Sequence, residues 1–116
     1  MHHDRIADKA AKLRLDEMNR VKRLLSEAGL TLIGIDADYG LAKGTCGNAL
    51  QQANLAGERA IAAALRRRPE HLWRTRYHGD GTRKSPQPKE NYVRPPNMRQ
   101  RRAKHKSAVA SSGVAA

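Results

Sequence analysis

The chain has 116 residues, 39% of them apolar, with no phenylalanine and 3% aromatics, so it has room for one domain on an aliphatic core. A formal charge of +12 and a pI near 10.7 point to a polyanionic partner, nucleic acid first and an anionic membrane surface second. No apolar run is long enough to span a bilayer, the first residues form no signal-peptide core, and the lone Cys46 excludes an internal disulfide. These features lead us to expect a cytoplasmic protein without a membrane segment.

Alanine and leucine dominate, and β-branched residues are scattered without an alternating run, so an all-α fold is expected. Asp4 to Leu15 places Ile6, Ala10 and Leu13 on one side of a strongly charged helix, either separate from the next or fused to it. From Asp16 to Ala28, the positions Met18, Val21, Leu24, Leu25 and Ala28 form one buried stripe. Gly29 stops that helix, and Leu30 stands where a glycine C-cap makes its hydrophobic contact. Thr31 suits the N-cap of a short helix, Leu32 to Tyr39, burying Leu32, Ile35 and Tyr39. Gly40 permits a sharp turn and Leu41 returns to the core.

A third short helix spans about Lys43 to Gln52, with Cys46, Ala49 and Leu50 inward. The stretch NLAGE is the next connection, and Glu58 to Leu65 is an alanine-rich helix with Ile61 and Leu65 on one face. In RPEHLW, Pro69 suits the first position of a last helical turn, with Leu72 and Trp73 packing back. The composition breaks after Tyr77. The remaining segment holds all but one of the five prolines and nine basic residues against two acids, a net of +7. It is expected to be a disordered basic tail. The predicted organisation is therefore a helical extension over residues 1–15, a domain over 16–77 and a tail over 78–116.

Two short helices joined at a glycine describe a helix-turn-helix. From Leu30 to Tyr77 the chain also resembles the Ner family, the small DNA-binding repressors of Mu-like transposable phages and their bacterial relatives. The residues that carry the resemblance are LTLIGIDADYGL at 30–41, NAL at 48–50 and GERAIAAALRRRPEHLWRTRY at 57–77. The resemblance implies a phage-repressor-like helix-turn-helix domain of about five short helices. It further implies sequence-specific binding to double-stranded DNA, and repression by operator occupancy.

In such domains the second helix of the motif lies in the major groove and its N-terminal part meets base edges. Here the candidate DNA-binding residues are Lys43, Gly44, Thr45, Gly47, Asn48, Gln51 and Gln52. Lys43 can donate to guanine or phosphate, Thr45 can serve a phosphate or a thymine methyl, and Asn48 and Gln51 offer the donor and acceptor that suit adenine. An ordinary solvated helix face would carry the same residue types. The chain departs from the family pattern at Ala42, which has no side-chain cap, at Gly44 and Gly47 within the helix, and at Asp36, where a small residue is usual.

The remaining polar residues have plainer readings. Arg66, Arg67 and Arg68 either favour a helix dipole or touch phosphates. Glu58 sits where it favours the dipole of the helix it starts. Trp73 and Tyr77 read as core residues. Asp36 and Asp38 do not share a helix face. Cys46 is expected buried, with no histidine beside it in sequence, and His2, His3, His71 and His78 have no strong ligand companions. No catalytic constellation, metal site, cofactor or small-molecule substrate is indicated, so the chain reads as a non-enzyme. Composition leaves two alternatives open: a basic RNA-binding or ribosome-associated protein, and a protein–protein adaptor.

Overall fold

Glycine and a few polar caps divide the chain into helices. The computed structural model describes residues 2–94, with side-chain surroundings from Lys9 onward. Among these residues five α-helices follow one another: α1 (His2–Glu27), α2 (Leu32–Asp38), α3 (Thr45–Gln51), α4 (Leu55–Leu65) and α5 (Pro69–Leu72). Two 3-10 turns, Arg74–Arg76 and Lys89–Tyr92, follow. The fold is all-helical, and among the described residues the one β pairing is an isolated antiparallel bridge between Tyr77 and Arg83.

The expected extension and the first domain helix are one continuous helix, because neither glycine nor proline interrupts the chain between Asp4 and Ala28. Leu15, Met18, Val21 and Leu25 of α1 are buried, Leu24 packs at the margin, and Ala28 is exposed beyond the last turn. Leu15 is buried as well, so the core begins about one turn before the expected stripe at Met18, while Leu13 is 51% exposed.

Three helices end in the same bond pattern. After α1, Leu30 N–H donates to Leu25 O at 2.9 Å and Gly29 N–H to Ser26 O at 3.1 Å, with Gly29 at φ +70°. After α2, Leu41 donates to Asp36 O at 2.8 Å and Gly40 to Ala37 O at 3.3 Å. After α4, Arg67 donates to Ala62 O at 2.9 Å and Arg66 to Ala63 O at 3.1 Å. Each is a Schellman cap, which places one residue in the left-handed region. At the third cap that residue is Arg66, at φ 56°.

The N-termini are capped by side chains. Thr31 Oγ1 accepts from Gly34 N–H at 3.0 Å, as its position suggested. NLAGE is not a connection. Asn54 Oδ1 accepts from Gly57 N–H at 3.2 Å, and Glu58 Oε2 accepts from the Asn54 N–H at 2.7 Å. This reciprocal capping starts α4 at Leu55, one turn early. Tyr39 does not join the core: α2 ends at Asp38, and Tyr39 is its C-cap residue, 46% exposed.

α3 and α4 form the most extensive helix pairing among the described residues. A Cβ on Gly57 would lie 2.5 Å from Ala49 Cβ and 2.8 Å from Thr45 O, so only glycine lets the start of α4 meet α3.

Behind this contact lies a buried ionic hub. The Glu58 carboxylate is fully buried and faces Arg83 Nη2 at 3.1 Å and Arg76 Nη1 at 3.3 Å. Tyr77 Oη donates to its Oε1 at 3.1 Å. Arg76 Nη1 also donates to Ala49 O at 2.7 Å, which ties the hub to α3. Burial pulls the Arg76 guanidinium down from its ordinary range while the Glu58 charge opposes the fall. Its guanidinium carbon stands 5.1 Å from the centre of the buried Trp73 ring.

The expected tail does not begin at His78. Residues 78–94 pack onto the domain, and polar side chains hold them. Gln87 Nε2 donates to Arg76 O at 2.9 Å and Lys84 O at 2.8 Å. Asn91 Nδ2 donates to Thr75 O at 3.1 Å and Gln87 Oε1 at 2.8 Å. Both amide residues are buried. Hydropathy gives no sign of a segment fastened this way. The disorder expected over residues 95–116 lies outside the described residues.

Candidate nucleic-acid interface

The turn between α2 and α3 is built on a buried acid. Asp36, 2% exposed, accepts from Gly44 N–H at 2.8 Å and from Cys46 N–H at 2.9 Å. A carboxylate at a helix N-terminus satisfies free donors and favours the helix dipole. The cap that Ala42 cannot supply therefore comes from the preceding helix. The Cys46 thiol, then the N–H groups of Cys46 and Gly44, hold the Asp36 carboxyl below its ordinary value against the effect of burial. Burial, reinforced by Asp36, pushes the Cys46 thiol up to about 12. Gly44 is not inside the helix as expected. It is the N-cap residue, at φ +98°, a conformation that glycine accepts without strain.

α3 is two-sided. Cys46, Ala49 and Leu50 are buried inward. Gly44, Gly47, Asn48 and Gln51 recur at helical spacing on the other side, which is exposed or half-exposed. A Cβ on Gly44 or Gly47 would meet nothing within 4 Å, so the helix backbone lies bare there. Lys43 is exposed just ahead of the helix.

Two of the expected residues make bonds at the ends of the helix. Gln52 is the C-cap, in extended conformation at φ −152°, and its N–H closes the last turn onto Asn48 O. Thr45 is half-buried, and its hydroxyl donates to Ala42 O at 2.7 Å, closing the turn before the helix. Asn48 and Gln51 are on the face with their acceptors engaged. Asn48 Oδ1 accepts from Asn54 Nδ2 at 3.0 Å, and Gln51 Oε1 accepts from Arg94 Nε at 3.0 Å. Sequence reasoning missed Asp36 and Arg94. Asp36 carried a signal, a short acid shortly before an uncapped helix, whereas Arg94 carried none.

Other basic and aromatic residues lie away from this face. Arg76 is buried in the hub, Trp73 and Tyr77 are core residues, and Arg66 to Arg68 are exposed between α4 and α5. Arg68 Nη1 stands 4.0 Å from Glu70.

Two short helices locked together by a buried carboxylate, the second presenting an open polar face, make a helix-turn-helix DNA-binding domain. The chain belongs to the winged helix-turn-helix DNA-binding family, whose model matches residues 17–89. No curated protein and no solved structure matches the chain. Membership makes it a DNA-binding protein of the transcription-regulating kind. Where the family description speaks of a wing, the described residues hold no strand. Residues 77–83 form a turn instead, with His78 N–H donating to Thr82 O at 2.7 Å. No helix among the described residues is long and apolar enough to cross a membrane.

Proposed function

We propose that the chain is a sequence-specific regulator that represses transcription by occupying an operator, as the Ner resemblance implies. Its α3 enters the major groove with Lys43, Gly44, Gly47, Asn48 and Gln51 toward the duplex, and Thr45 and Gln52 shape the ends of that helix. The single observation that supports this reading is the two-sidedness of α3. Its inner side is core and its outer side is polar, with bare backbone at Gly44 and Gly47 for close approach. Beyond Arg94 the chain carries five more basic residues and no acid, which add attraction to phosphates at any sequence and weaken with salt. This reading sets the protein in the bacterial cytoplasm, at the nucleoid.

The test is a competition between duplex DNA and structured RNA at several salt concentrations. The protein is expected to protect a defined duplex segment, and changing Lys43 and Asn48 to alanine should reduce its discrimination between duplexes without unfolding it. RNA displacing every duplex would instead favour a ribosome-type binder. Protection of neither nucleic acid would leave a protein adaptor.

A further inference from the structure

The outer face of α3 continues past its last residue. Ala53 N–H donates to Asn91 O at 2.7 Å, and the buried Arg14 guanidinium donates to the carbonyls of Val93 and Gln51. These bonds bring the chain back to the C-terminal end of α3. There the exposed Arg94 donates from Nε to Gln51 Oε1. Arg94 lies beyond the stretch matched by the family model, which ends at residue 89.

This contact changes the chemistry of the face. The amide oxygens of Asn48 and Gln51 each give one of their two lone pairs to a partner within the protein, Asn54 and Arg94. Their amide nitrogens, the Lys43 ammonium and the terminal nitrogens of Arg94 remain, and all of these donate. The major-groove edge of adenine presents an acceptor and a donor, whereas that of guanine presents two acceptors, N7 and O6. A surface on which free donors outnumber the remaining acceptors favours guanine.

We infer that Arg94, oriented by Gln51, is a base-reading residue that donates from its terminal nitrogens to a guanine beside the C-terminal end of α3. The inference rests on the DNA-reading function proposed above. Anchoring the Nε on Gln51 fixes the plane of the guanidinium fork, which a paired contact requires and a simple phosphate contact does not.

Bound duplexes are selected by the full chain from a pool with a randomised segment. Affinities are then measured for the recovered duplex and its single-base variants with the wild type, Arg94→Lys, Arg94→Ala and Gln51→Leu. The wild type is expected to prefer guanine over adenine at one position by about tenfold or more. All three variants should lose that preference with unchanged thermal melts, and the two Arg94 variants should keep discrimination elsewhere. Arg94→Lys matching the wild type on every duplex, with Arg94→Ala uniformly weaker and less salt-dependent, would mean a phosphate contact and overturn the inference. A recovered sequence without guanine would overturn it as well. If Lys43→Ala and Asn48→Ala change the preference and no Arg94 variant does, this inference fails alone. If the wild type selects no sequence, the DNA-reading function fails with it.

Discussion

The hub around Glu58 and the outer face of α3 treat polar groups in opposite ways. At the hub a fully buried carboxylate meets two guanidinium groups, a phenol and a backbone N–H. On the outer face of α3 and its N-cap the polar groups are exposed or half-exposed, and Gly44 and Gly47 carry no side chain. One region holds the helix and the other presents it. Arginine shows the same division: Arg76 is spent on holding α3 through Ala49 O, and Arg94 stands exposed at its rim. Net charge alone counts the two alike.

The sharpest break in this comparison comes from removing the hub's carboxylate. Glu58→Ala leaves the buried Arg76 and the half-buried Arg83 without their acid, and should cost about 3–5 kcal/mol in urea unfolding. Wild-type stability would show that the hub does not hold the fold. Gly57→Ala forces a methyl group against Ala49 and the backbone at Thr45, and should cost about 1–3 kcal/mol by the same measurement.

A finer probe is pH, read by thermal melts. Burial, followed by the Glu58 charge, raises the Tyr77 phenol from 10.0 to about 12, and the Cys46 thiol is raised from 9.0 to about 12. Both favour the protonated fold, so their contribution is complete below the ordinary values and is lost as pH climbs toward 12. Asp36 behaves in the reverse sense. Its contribution is complete above its ordinary value of 3.8 and disappears as pH falls through the depressed folded value. Asp36→Asn should flatten that acid limb, lower the Cys46 part of the alkaline limb by removing the charge that reinforces it, and leave the Tyr77 part. The smallest expected effect is a gain. Arg66→Gly relieves a left-handed residue at the third cap and should stabilise the fold by about 1 kcal/mol.

Much of the scaffold was legible because its signals are local. Gly29, Gly40, Thr31 and Pro69 act on bonds within a few residues, and the spacing of Cys46, Ala49 and Leu50 already marked the inner side of α3. Other features depend on partners distant in the chain. Glu58 reads as a dipole residue until Arg76 and Arg83 close on it. Asp36 reads as an intruder until the turn brings Gly44 and Cys46 to its oxygens. Residues 78–94 look like tail because buried amides at Gln87 and Asn91, rather than apolar side chains, fasten them. Arg94 was lost with that segment.

The most direct test of the account is Gly47→Leu, because it separates holding from presenting. Leucine enters open space and favours helix over glycine, so unfolding by urea should show stability equal to the wild type or higher. Duplex binding, measured on the same sample, should be lost because the side chain fills the path of the groove. Duplex affinity equal to that of the wild type would contradict the placement of α3 against DNA.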